Sequence, residues 1–132
     1  MKKLLITLLL LITSLFAELK NEYLSQKLLD SKIPIVDIRT IGEWKHTGIL
    51  RGSIPIMFFD DKGNYNVKEF LAQLYAKVDT TKPFALICRT GSRTGMVAKY
   101  LSDTFNYKVT NVTGGIRIHN MKFEDLDFIR YP

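Results

Sequence analysis

Apolar positions recur along this chain with two periods, and each period predicts an element. Between Asn21 and Leu29, Tyr23, Leu24, Leu28 and Leu29 fall at helical spacing, and Asp30-Ser31 closes the segment. Residues 33–38 form a β-branched run ending in Asp37-Ile38-Arg39, which reads as a strand. Thr40 is placed to cap a short helix through Glu43 and Trp44, and Gly48 to stop it. Residues 53–58 read as a second apolar strand, interrupted by Pro55 and followed by a turn at Asp60-Asp61-Lys62-Gly63. Asn66 caps a helix expected to turn Phe70, Leu71, Leu74 and Tyr75 inward. Residues 84–88 are the third strand, and Met96, Val97, Tyr100, Leu101 and Phe105 are expected on one inward face of the next helix. Residues 108–112 form a fourth strand, after which Gly114-Gly115 opens a last helical region.

Strands alternating with helices over short connections predict an α/β fold, a central parallel sheet flanked by helices on both faces. Ligands of such sheets bind beyond the carboxyl ends of the strands. Asp37, Cys88 and Gly114-Gly115 all stand at such ends, so three chain segments are expected to converge there.

The first residues follow a different pattern. Met1-Lys2-Lys3 precede 13 apolar-rich residues, 4–16, and Ala17 stands before polarity returns at Glu18. A basic start, a short apolar stretch and a small residue describe a signal peptide over 1–17, leaving a single domain over 18–132. The stretch is short of the roughly 20 residues that span a bilayer. The expected location is the periplasm; the alternative is an uncleaved segment anchoring the protein to the inner membrane, which N-terminal sequencing would reveal. The chain carries 19 Lys and Arg against 13 Asp and Glu, a net charge of +6, reduced to +4 when Lys2 and Lys3 leave with the leader. That mild positive charge suits small anions, and no basic stripe interleaved with aromatics points to nucleic acid.

Cys88 is the single cysteine, so no internal disulfide is available. It ends the run Pro83-Phe84-Ala85-Leu86-Ile87 and leads into Arg89-Thr90-Gly91-Ser92-Arg93-Thr94-Gly95. At a strand end facing a helix N-terminus, backbone N–H groups and the helix dipole favour the thiolate. Two arginines, small hydroxyl residues and a glycine that lets the backbone curl make a cup for a small anion with a nucleophile at its base. The plain alternative is a buried structural cysteine. Thr94 is expected to cap the helix and Ser92 to cap it or donate to the anion. Asp37 and Arg39 read as structural support, with Arg39 pairing with Glu43 four residues on or pinning the loop. Trp44 reads as a core residue. His46 and His119 lack metal-ligand spacing and read as surface or rim histidines, and nothing suggests a metal or an organic cofactor. Asn111-Val112-Thr113 fits a glycosylation pattern but falls within a predicted strand.

Five segments together resemble the rhodanese family of sulfurtransferases: Val36-Asp37-Ile38-Arg39, Glu43-Trp44, residues 47–54, Cys88-Arg89-Thr90-Gly91-Ser92-Arg93-Thr94, and Thr113-Gly114-Gly115-Ile116. His119 stands where the family often has tryptophan, and Gly48 precedes Ile49 directly. The resemblance implies a rhodanese-like fold and a persulfide on Cys88, formed from a donor such as thiosulfate and passed to cyanide or a thiol. It implies that the amides of residues 89–93 hold the charged sulfur, that Arg93 adds a cation, and that Arg89 stands at the rim to receive a sulfonate. Four residues separate Cys88 from Arg93, as in rhodanese-type loops; related phosphatases and arsenate reductases use five, which widens the cup for a tetrahedral oxyanion. A second reading is a non-enzymatic module that binds an anion or carries sulfur for a periplasmic protein partner.

Overall fold

The computed structural model describes residues 19–117 and 126–132. The leader, the helical region expected after Gly114-Gly115 and His119 lie outside the described residues. The strands are β1 (Lys20–Tyr23), β2 (Ile35–Asp37), β3 (Ile49–Leu50), β4 (Ile54–Pro55), β5 (Phe84–Ile87), β6 (Val109–Thr113) and β7 (Phe128–Ile129). The helices are α1 (Gln26–Asp30), α2 (Ile41–Thr47), α3 (Val67–Lys77) and α4 (Ser92–Phe105). Five strands form one sheet in the order β1-β6-β5-β2-β4, every pair parallel, while β3 and β7 form an antiparallel pair apart from it.

Side-chain alternation along the strands splits the core into two. Val36, Phe84, Leu86, Cys88 and Val109 face Phe70 and Leu74 of α3 and Val97, Ala98 and Leu101 of α4. Ile35, Ala85, Ile87 and Val112 face Leu28 of α1, together with Leu24, Leu50, Ile116 and Leu126. Strands apolar on both faces are the mark of a parallel sheet covered on both sides, and β5, buried at every position, lies at its centre.

Several elements differ from the sequence pattern, each for a local reason. Lys20–Tyr23 is an edge strand, not the start of a helix, and only Gln26–Asp30 is helical, capped by Ser25 Oγ accepting the Leu28 N–H at 3.1 Å. All four residues of β1 are exposed, so no alternation marks the strand, and Tyr23 and Leu24 mimic helical spacing with Leu28. The strand expected over 53–58 is regular only at Ile54–Pro55: proline has no N–H to give to a ladder and belongs at an edge, where β4 lies. Beyond it the chain keeps single bonds to its neighbour, Ile56 N–H to Asp37 O at 3.0 Å and Phe58 N–H to Ile38 O at 3.3 Å. The antiparallel β3 and β7 pair, two residues on each side, has no counterpart in the sequence pattern.

On α3, Phe70 and Leu74 point inward but Tyr75 is exposed, its hydroxyl 2.7 Å from that of Tyr107. On α4, Met96 and Tyr100 are also exposed; the buried stripe is Thr94, Val97, Ala98, Leu101 and Ser102. Two polar residues occupy inward positions there, and a reading from apolar residues alone rotates the helix away from them.

Candidate functional site

β5 ends at Ile87, and Cys88 begins the turn that delivers the chain to Ser92, the first residue of α4. Gly91 makes the turn possible twice over. Its φ of +92° is the left-handed region, and a Cβ there would lie 2.8 Å from the Gly114 nitrogen. Curled in this way, the Gly91 N–H points back at Cys88 Sγ, 3.1 Å away. The Cys88 side chain is wholly buried in the α3/α4 core, at the base of the turn.

Beneath the sulfur stands Thr94. Gly91 occupies the helix cap position with no side-chain bond, and Thr94 instead packs inward, which corrects its expected capping role. Its Oγ lies 2.6 Å from Asn111 Oδ1, 3.2 Å from Gly91 O and 3.6 Å from Cys88 Sγ. Asn111, on β6, in turn donates from Nδ2 to Asn21 Oδ1 of β1 at 3.0 Å. Sequence reasoning considered Asn111 only within a glycosylation pattern and missed this contact; the one available signal was an amide side chain in an otherwise apolar strand.

The second layer comes from α2. Thr40 caps it through a reciprocal box: its Oγ accepts the Glu43 N–H at 3.2 Å, and Glu43 Oε1 accepts the Thr40 N–H at 3.3 Å. Glu43 also receives Arg93, NH1 to Oε1 at 2.6 Å and NH2 to Oε2 at 2.9 Å, so Arg93 enters the site as half of an ion pair. Burial pushes the Glu43 carboxyl up, but the Arg93 hydrogen bonds, the Thr40 amide and the charges of Arg93 and Arg39 outweigh it and hold it below the usual range. The same bonds from Glu43, against partial burial, raise Arg93, with the Glu43, Cys88 and Asp37 charges adding to the effect.

Arg39 does not pair with Glu43. Its Nε and NH2 grip Asp37 at 2.8–3.1 Å, NH1 donates to Thr47 Oγ1 at 2.8 Å and NH2 to Gly48 O at 2.8 Å. Asp37 ends strand β2 with its carboxylate fully buried, and its two-residue offset from Arg39 lets the guanidinium fold back on it. Arg39 therefore pins the C-terminal end of α2 to β2.

The third segment is the Gly-Gly turn after β6. The Ile116 N–H donates to Cys88 O at 3.0 Å and the Arg117 N–H to Arg89 O at 3.1 Å. At Gly115, with φ of +58°, a Cβ would lie 2.4 Å from Cys88 O, so only glycine allows the two turns to touch. Arg89, Thr90 and Ser92 are exposed on the outer side of the loop, with Thr90 Oγ1 3.3 Å from Ser92 Oγ. Arg89 lines a cleft of about 630 Å³ with Arg39, Thr40, His46, Asp61 and Arg117 among its walls. Trp44 is buried at the other side of α2 against Tyr131, ring centroids 5.2 Å apart. Among the described residues, no three His, Cys, Asp or Glu side chains gather as a metal site.

Residues 20–118 match the rhodanese-like domain family. A curated relative, the uncharacterized protein RP600 of Rickettsia prowazekii, is 29% identical over 96 residues, covering 70% of this chain and 76% of its own length. Among solved structures, a rhodanese-like domain protein from Staphylococcus aureus aligns with a TM-score of 0.60 and 25% identity over 83% of this chain and 98% of that one. Rv0390 from M. tuberculosis shares the fold, with a TM-score of 0.60 and 20% identity over 74% of this chain and 80% of that one. The matched residues span the parallel sheet from β1 to β6 together with the cysteine turn and the Gly-Gly turn bonded to it, and the chain belongs to the rhodanese-like domain family.

Proposed function

We propose that the protein is a sulfurtransferase that carries sulfane sulfur on Cys88. In the first step the Cys88 thiolate attacks the outer sulfur of thiosulfate. The S–S bond breaks with its electron pair on the departing sulfite, and Cys88 is left as a persulfide anion. In the second step cyanide or a thiolate attacks the outer sulfur, and the Cys88 thiolate leaves with the electron pair of the bond that breaks. Sulfur moves without an external oxidant or reductant.

The observation that carries this reading is the Gly91 N–H aimed at Cys88 Sγ in a loop with four residues between Cys88 and Arg93. A donor fixed in advance on the sulfur stabilises negative charge there without reorganisation, and a tight loop suits one sulfur atom better than a tetrahedral oxyanion. Arg89, exposed beside the cleft, is the group placed to receive the sulfonate end of the donor.

Intact-mass measurement after incubation with thiosulfate tests the intermediate: a gain of one sulfur atom is expected for the wild type and none for Cys88→Ser. A folded Cys88→Ser protein that kept most of the thiosulfate-dependent turnover would overturn the assignment. The complete burial of Cys88 favours one other reading, a sulfur carrier that exchanges only with a partner protein. Its signature would be a stable persulfide with no turnover to cyanide or small thiols.

A further inference from the structure

The four guanidinium groups that converge on this end of the sheet are not equivalent. Arg39 is buried and engaged by Asp37, Thr47 and Gly48, and Arg93 is engaged by both oxygens of Glu43. Arg89 and Arg117 have no ion-pair partner among the described residues, and both line the 630 Å³ cleft. Their backbones are tied together, because the Arg117 N–H donates to Arg89 O and the close approach at Gly115 admits no side chain between the two turns. Asp61, which lines the same cleft, likewise has no ion-pair partner among the described residues.

The cleft thus offers two guanidiniums with no ion-pair partner among the described residues. The cleft volume also falls within the roughly 300–1,000 Å³ of pockets that hold drug-sized ligands, far above the size of a five-atom anion. We propose that Arg117 is a specificity-determining residue that receives a carboxylate of the sulfur acceptor, a low-molecular-weight thiol of amino-acid or peptide type. Arg89 serves the second carboxylate, or the donor in the preceding step, and Asp61 offers a counter-charge to the acceptor's ammonium group. The inference rests on the sulfurtransferase reading for its chemistry, and on the cleft alone for its binding.

Two arms separate those grounds. In the first, steady-state transfer from thiosulfate is measured with glutathione, which has two carboxylates and an ammonium, and with uncharged 2-mercaptoethanol. Arg117→Gln is expected to raise the ratio of the glutathione KM to the 2-mercaptoethanol KM about tenfold, the scale of one exposed charge-assisted contact, with kcat moving less than KM. Arg117→Lys should recover part of the change. In the second arm, S-methylglutathione is titrated into Cys88→Ser protein, which performs no transfer, and Arg117→Gln is expected to weaken binding about tenfold. If the wild type turns over no acceptor, the sulfurtransferase reading fails, and the binding arm still decides this proposal. An affinity for S-methylglutathione unchanged by Arg117→Gln, or no saturable binding, overturns it whatever the kinetics show.

Discussion

The Thr94 hydroxyl has one proton and three acceptors within reach. The shortest contact is to Asn111 Oδ1, and while the proton lies there Thr94 presents lone pairs to the sulfur, ready to accept a thiol S–H. Turning the proton to an anionic sulfur would leave the buried Asn111 carbonyl without its donor. Thr94→Val preserves the shape and removes the hydroxyl, and it is expected to destabilise the fold by about 1–3 kcal/mol, the scale of a buried acceptor left unsatisfied. Urea midpoints measure this, Thr94→Ser should recover most of it, and a Thr94→Val protein as stable as the wild type would refute the role. This residue also shows where the sequence stops informing. A hydroxyl near a helix start reads as a cap, but Gly91, in a conformation open to glycine, moves the start upstream and leaves Thr94 one turn inside, facing the core. The turn after Cys88 and its glycines were legible because they are local features of the chain; the partners of Arg93 and Asn111 were not, because they come from other elements, α2 for Arg93 and α4 and β1 for Asn111.

At the scale of elements, Glu43 ties α2 to α4. Thr40, Glu43 and Gly48 mark the ends of α2 in the sequence, and the capping box forms where that spacing places it. The second use of Glu43, as partner of Arg93 fifty residues later, depends on the sheet order and could not be read from spacing. The nearer cation by helical rule, Arg39, is held by Asp37 instead. A carboxylate held below its ordinary value contributes stability that is full above the unfolded value, about 4.3, and is lost as pH falls through the lower folded value. Glu43→Gln is therefore expected to lower stability at pH 7, with the difference from wild type shrinking toward zero well below pH ~4 as the wild-type carboxyl is neutralised. Denaturation at pH 7 and at acid pH compares the two, and a difference independent of pH would show that the charge pair contributes nothing. The missed elements share one physical cause: β1 is exposed at all four positions and the β3/β7 pair is two residues long, so neither leaves a periodic trace.

Across the whole molecule, the alternation of strands and helices made the parallel sheet and its two covered faces readable, since the inner strands β2 and β5 carry apolar residues on both sides. What joins the sheet to the helix beside the cleft is the Asp37–Arg39 pair, buried on both sides at 0% and 3% exposure. Such a pair is a modest source of stability when intact and a large liability when broken, because the surviving charge stays in the interior. Arg39→Leu is expected to destabilise the protein by about 3–5 kcal/mol, read from chemical denaturation, and a loss below 1 kcal/mol would show that Asp37 finds solvent or another partner. The amide contact between Asn111 and Asn21 has a different reach. It makes the outermost strand the last link of a chain of side chains running Asn21, Asn111, Thr94, Cys88. The practical boundary of the folded unit is therefore set by a strand that carries none of the signature residues. A shortened version begun after residue 21 would contain the whole cysteine loop and the Gly-Gly turn, yet its Cys88 would rest, through Thr94, on an Asn111 amide with nothing behind it.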